Sequence, residues 1–237
     1  YIELSIFDIL LKKIDVKKVI VSEGKINIKY NLDRNPNFTI FKTNEENKNQ
    51  LKLKKVQLLN TNVKYQTRNI NINWQTTQAI LVFKEQKLSI TATLLSEKLK
   101  VHSRDYINKK NMKLLTTLSL QKDSVFIQRG SKVYIEDVVF ELSGSVFQSN
   151  IIDLNFSCED QELAEIINHT PEHLTSIYKS FQANGEFSCK GNIKGLINKE
   201  NNPLLNMSCH IGKGSFFLKS RPFILKNINL DGEITNG

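Results

Sequence analysis

Residues 88–94 read Leu-Ser-Ile-Thr-Ala-Thr-Leu, and this strict alternation of apolar and polar side chains decides the fold. Successive side chains of a strand point to opposite faces, so Leu88, Ile90, Ala92 and Leu94 line one side and Ser89, Thr91 and Thr93 the other. The period of two continues outward in both directions. Toward the N-terminus it recurs in Ile70, Ile72, Trp74 and in Ile26, Ile28, Tyr30. Toward the C-terminus it recurs in Met112 to Leu120, in Val138, Phe140, Leu142 and in Ile152, Leu154, Phe156, Cys158. Phe216, Leu218 and Ile228, Leu230 continue it. The intervening residues are mostly Lys, Asn, Ser, Thr and Glu, so the predicted sheet is apolar on one side and wet on the other. That pattern suits antiparallel meander pairing.

Glycines separate the alternating runs at Glu23-Gly24, Arg129-Gly130-Ser131, Ser143-Gly144-Ser145, Lys213-Gly214-Ser215 and Asp231-Gly232. Each is expected to reverse the chain, since glycine takes positive φ without strain. The polar stretch from Thr43 to Gln50 reads as a loop. A weak repeat is also present. Val19-x-Val21-x-x-Gly24-x-Ile26-x-Ile28 aligns with Val56-x-Leu58-x-x-Thr61-x-Val63-x-Tyr65, 37 residues later, and each copy reads as strand, tight turn, strand.

One region departs from the period of two. From Asp160 to Gln182 the spacing of Leu163, Ile166, Ile167, then Leu174, Ile177, Tyr178 and Phe181 is helical. Asp160 is expected to cap a first short helix, and Thr170-Pro171 to start a second. Helices this short need tertiary burial to persist, so Leu163, Ile166, Leu174, Ile177 and Phe181 should pack on the sheet or across its end. Phe7, Leu10, Leu11 and Ile14 also have helical spacing, against strand-like Val16 to Val21.

Composition narrows the function classes. Ten glycines and four prolines in 237 residues are too few for a fibrous or disordered chain. No run of eighteen apolar residues occurs. The net charge is +9, but the lysines are scattered and many (Lys25, Lys29, Lys52, Lys54, Lys64) alternate with apolar residues. A solvated strand face is the favoured reading, ahead of anionic lipid headgroups, and nucleic acid is not expected as a partner. Tyr1 in place of an initiator Met, and a C-terminal run that reads as an unfinished strand, suggest a piece of a longer protein.

No catalytic or metal signature emerges. His169 and His173 have the spacing of a ligand pair, but a new helix is expected to start between them; Cys209 and His210 are adjacent and so should face opposite ways on a strand. No phosphate loop, nucleophile elbow or dinucleotide fingerprint occurs. The reading is therefore of a non-enzyme without cofactor or metal. Three cysteines cannot all pair and lack Cys-x-x-Cys spacing. Each sits in an apolar alternation as a small hydrophobe, and a Cys189–Cys209 bridge stays open if their strands pair in register.

The order of features from about Leu114 onward resembles the C-terminal part of the AsmA-like family of bacterial envelope proteins, of the Bacteroidetes type. Phe140-Glu141-Leu142-Ser143-Gly144 is similar to the family's strand ending in Leu-x-Gly. Asp153-Leu154 through Phe181 resembles its strand followed by a helical insert with a central proline, here Pro171. Ala183-Asn184-Gly185-x-Phe187-x-Cys189-x-Gly191-x-Ile193-x-Gly195 looks like its glycine-rich alternating segment. Pro203-Leu204 to Phe216 and Pro222-Phe223-x-Leu225 to Gly237 complete the match, and Asp8-Ile9-Leu10-Leu11 leading to Val19 resembles the entry into its first marked hairpin.

The resemblance implies a long, strongly curved antiparallel sheet, a β-groove, as in bridge-like lipid-transfer proteins. It implies a periplasmic location, an inner-membrane anchor outside this stretch and a role in outer-membrane biogenesis and lipid homeostasis. The implied partners are phospholipid or another acyl-chain lipid and envelope proteins. On this reading residues 1–45 are a partial N-terminal β repeat and 46–237 the groove region, with a two-helix insert at 160–182. The expected groove lining is Leu58, Ile72, Phe140, Leu142, Phe156, Phe187, Ile193, Phe216, Leu218 and Leu230. Alternation alone leaves two alternatives open: closure of the apolar face against a second sheet, and a structural or adhesive envelope module without a lipid ligand.

Overall fold

The computed structural model describes residues 2–4, 16–29, 53–67, 69–101, 104–171, 181–197, 202–218 and 223–236. The chain is mainly β, as the alternation predicts. Its strands are β1 (Ile2–Leu4), β2 (Val16–Ser22), β3 (Lys25–Lys29), β4 (Lys55–Gln66), β5 (Ile70–Lys84), β6 (Lys87–Val101), β7 (Arg104–Ile107) and β8 (Lys110–Leu120). Then follow β9 (Ser124–Ile135), β10 (Val138–Phe147), β11 (Ile151–Glu162), the helix α1 (Leu163–His169), β12 (Phe181–Leu196), β13 (Leu204–Leu218) and β14 (Phe223–Thr235). Among the described residues no helix is long and apolar enough to cross a membrane. The chain packs as two units, Tyr1–Thr117 and Leu118–Gly237. Within each unit the strands are joined by hydrogen bonding into a sheet.

In the first unit the strand order is β1-β2-β4-β5-β6, with β3 also on β4 and β7 on β6. The β4–β5 and β5–β6 pairs are antiparallel, but β2 and β3 both run parallel to β4. This corrects two readings: the pairing is not purely antiparallel, and the repeat does not make hairpins. Each copy instead runs on in one direction past its central kink, and the copies lie side by side. Val19 stands opposite Val56, Val21 opposite Leu58, Ile26 opposite Val63 and Ile28 opposite Tyr65, so the 37-residue offset of the sequence is the register itself. The kink is copied too. Glu23 and Asn60, also 37 residues apart, both have positive φ.

In the second unit the order is the sequence order, β9 to β14, and the neighbouring strands pair antiparallel. The glycines expected to reverse the chain lie inside strands: Gly130 in β9, Gly144 in β10, Gly214 in β13 and Gly232 in β14. Reversal falls instead to short polar loops, Glu85-Gln86 between Lys84 and Lys87, and Glu136-Asp137 between Ile135 and Val138. Glu85 and Glu136 take the positive φ there, as does Asn150 between Phe147 and Ile151. Several in-strand positions are bulges. Register shifts follow Cys158 on β11, Asn184 on β12 and Ile211 on β13, where Asp160, Gly185 and Lys213 have positive φ, and Asn227 on β14 adds another. A bulge bends and twists the strand that carries it, so this row bends the second unit's sheet across its width.

The helical insert is shorter than read. β11 runs on to Glu162 and β12 begins at Phe181. Asp160 lies in β11 and is not the cap; Glu162 precedes the helix and makes no side-chain cap bond. Glu165 in the first turn and His169 in the last suit the helix dipole. Thr170 closes the helix, with its amide and its hydroxyl both donating to the Ile166 carbonyl (2.9 and 2.6 Å), and Pro171 follows. Leu163 is buried, and the helix packs on β12 and β11. The second helix, with Leu174, Ile177, Tyr178 and His173, lies outside the described residues, as do the segment from Phe7 to Ile14 and the Thr43–Gln50 loop.

Candidate functional site

The candidate site is the apolar face of the second unit, which the strand register assembles from separate sequence runs. On β10, Phe140 and Leu142 point the same way, and Leu142 stands opposite Phe156 on β11. Phe156 stands opposite Gly191 on β12, and Phe187, Cys189 and Ile193 alternate onto the same side. Phe187 opposes Ile211 on β13, which opposes Leu230 on β14. Beyond the bulges, Ala183 opposes Phe216 and Phe181 opposes Leu218, which in turn face Leu225 and Phe223. The eight predicted lining residues of this unit therefore share one face.

Exposure on this face rises toward the edge. Ile152, Cys158, Ala183 and Cys189 are buried. Phe140, Leu142, Phe156, Phe187, Ile193, Phe216 and Leu218 are half-buried. On β14, Phe223 and Leu230 are exposed at 56% and 51%, and Leu225 and Ile234 are exposed with them. Among the described residues β14 pairs with β13 alone and ends the strand order. Phe223, Leu225 and Ile234 were absent from the predicted lining, although Phe223-x-Leu225 carries the alternation that marks the others.

The opposite face is mixed: Ile151, Leu196, Leu204 and Ile224 are exposed on it, and polar side chains between them form cross-strand pairs. Asp153 faces Lys194, with its carboxylate 2.8 Å from Nζ. Asn192 Nδ2 donates to Asp153 Oδ1 (2.9 Å) and Asn155 Oδ1 (3.1 Å). The hydrogen bond from Lys194, then that from Asn192, holds the Asp153 carboxyl below the usual carboxylate range, and Asp153 raises Lys194 in return. Lys132 pairs with Glu141, Lys213 with Glu186, and His210 Nδ1 lies 2.7 Å from Asp231 Oδ1. His210 is exposed while Cys209 turns to the apolar side, as adjacent strand residues must.

The two remaining predicted residues lie in the first unit. Leu58 is buried beside Ala79, which faces Ala92. Ile72 is half-buried between Tyr65 and Leu99. This face also carries polar groups at depth. Thr61, with no exposure, donates from Oγ1 to the carbonyls of Leu59 (2.9 Å) and Val21 (3.2 Å). Thr76 Oγ1 donates to the Thr61 carbonyl (2.8 Å) and accepts from its amide (3.3 Å). The next rung is Trp74 opposite Ser96, where Trp74 Nε1 and Ser96 Oγ are buried without a hydrogen-bond partner among the described residues. Among the described residues no group of three or more His, Cys, Asp or Glu side chains is arranged to hold a metal ion.

No protein-family model, no curated protein and no solved structure matches this chain.

Proposed function

We propose that this chain is a non-catalytic, lipid-binding segment of a periplasmic lipid-transfer protein, tied to the inner membrane by a segment outside this stretch and serving outer-membrane biogenesis. The observation that carries the reading is the exposure gradient of the second unit. One face collects aromatic and aliphatic side chains from five strands, and Phe223, Leu225, Leu230 and Ile234 keep it apolar out to an exposed edge. Uncovered apolar surface on this scale is a marker of an interaction site. Acyl chains fit it because each buried methylene contributes about 0.8 kcal/mol without requiring specific geometry. The other face carries solvated ion pairs, Asp153–Lys194, Lys132–Glu141 and Lys213–Glu186, between its exposed apolar side chains. The resemblance to AsmA-like proteins supplies the compartment and the anchor.

The test is native mass spectrometry of the purified chain after incubation with phosphatidylglycerol and phosphatidylethanolamine, alongside thermal melts. Wild type should carry phospholipid. Phe187→Asp and Leu218→Asp should lose it, and so should Leu230→Asp, whose exposed site leaves the melting temperature nearly unchanged. Wild type without lipid, with the Phe187 and Leu218 variants unfolded, would move the assignment to a structural envelope module.

A further inference from the structure

The three cysteines form one rung across three neighbouring strands. Cys158 on β11 stands directly opposite Cys189 on β12, and Cys189 directly opposite Cys209 on β13. All three lie on the apolar face, and all three are free thiols. Directly opposed residues of an antiparallel ladder are about 4.5–5.5 Å apart at Cα, within the roughly 4.4–6.8 Å that a disulfide spans. Either neighbouring pair thus satisfies the backbone requirement, and the side chains decide between them. The Sγ of Cys189 is 3.3 Å from that of Cys158, whereas the Cys209 thiol donates to the Gly232 carbonyl at 3.5 Å.

We propose that Cys158 and Cys189 are a redox-active pair that closes to a cross-strand disulfide, leaving Cys209 as a free thiol. The oxidant is a low-molecular-weight disulfide. The Cys158 sulfur attacks one oxidant sulfur and expels the other as a thiol. The Cys189 sulfur then attacks Cys158 in the mixed disulfide and expels the second thiol. One oxidant S–S bond and two protein S–H bonds are lost; one protein S–S bond and two oxidant S–H bonds are formed. The order of attack follows from the hydrogen bond between the two thiols. The hydrogen bond between the two sulfurs pushes the Cys189 thiol up, with burial adding to the effect, and holds Cys158 below the ordinary thiol range. Thiolate character is what makes a cysteine the attacking partner.

The bond would close a loop spanning 31 positions that contains α1. It would tie β11, four residues before its end at Glu162, to the middle of β12. Oxidation therefore locks these two strands together and stabilises the fold against their separation. This inference is independent of the lipid reading.

The experiment refolds the full chain in a buffer of reduced and oxidised glutathione, blocks remaining thiols by alkylation and maps the digest by mass spectrometry. The expected product is a peptide pair linked through Cys158 and Cys189, with Cys209 alkylated. Cys209→Ser should give the same link, and Cys158→Ser should give none within the chain. The oxidised protein should melt about 10 °C above the reduced one, as expected for a closed loop of this length in a domain of this size. A Cys189–Cys209 link, disulfides only between molecules, or three alkylated thiols under oxidising poise would each overturn the proposal.

Discussion

The phenyl ring of Phe156 occupies the space that a side chain at Gly191 would fill. A Cβ placed on Gly191 would fall 2.4 Å from Phe156 Cζ and 2.9 Å from the carbonyl oxygen of Asn206. The ring tip can swing away, but the strand carbonyl on the other side cannot. Gly191→Ala should therefore destabilise the protein by about 1–3 kcal/mol, the usual cost of overpacking. Urea titration followed by circular dichroism checks this, and an unchanged midpoint would show that the ring does not need that seat.

Two other glycines make a matched contrast. Gly130 and Gly144 both have positive φ, at 82° and 134°. A Cβ on Gly130 meets nothing within 4 Å, whereas one on Gly144 would fall 2.1 Å from the Asp153 carbonyl oxygen. Gly130→Ala should cost only the backbone strain, about 1–2 kcal/mol. Gly144→Ala adds a backbone clash and should push β10 away from β11, with a loss of more than about 3 kcal/mol. Thermal melts of the two variants should separate clearly.

The polar groups buried in the first unit should respond in opposite directions. Thr76→Val deletes both hydrogen bonds to the Thr61 backbone and strands a buried amide, at a cost of about 1–3 kcal/mol. Ser96 is fully buried and its hydroxyl has no partner among the described residues. Ser96→Ala removes a desolvated group without breaking a bond, so stability should hold or rise by up to about 1 kcal/mol. Chemical denaturation of each variant measures both signs.

The Asp153–Lys194 pair sets an acid dependence. Because the folded pKa of Asp153 lies below the ordinary value of 3.8, its ionised form stabilises the fold at and above that value. The contribution is lost as pH falls through the lowered folded pKa. Wild type should lose stability across that acidic window, and Asp153→Asn should lose less over the same range. Urea midpoints measured from neutral pH down to about pH 3 distinguish them, and parallel curves would mean that the carboxylate contributes nothing.

The apolar face was legible because alternation records burial directly. Phe140, Leu142, Phe156, Phe187 and Ile193 share a side in the structure for the same reason that their neighbours are polar. Alternation does not record the direction of the partner strand. Val19 to Ile28 therefore looked like a hairpin, although it lies parallel to Val56 to Tyr65. Glycine was ambiguous in a similar way. Positive φ serves a reversal or a bulge equally well, and at Gly130 and Gly144 it serves residues inside strands, while Glu85 and Glu136 turn the chain. For the cysteines, register made Cys189–Cys209 reasonable, but only side-chain direction favours Cys158.

The matched kinks at Glu23 and Asn60 carry a consequence for how this sequence can change. The two copies are read in one shared frame, 37 residues apart, with a flip of parity at the same place in each. Losing a single residue from either copy would turn every later side chain of that strand to the wrong surface. Insertions and deletions are thus confined to the connections outside the paired spans, or must occur in both copies together. Duplication of a whole copy would likewise leave the frame intact.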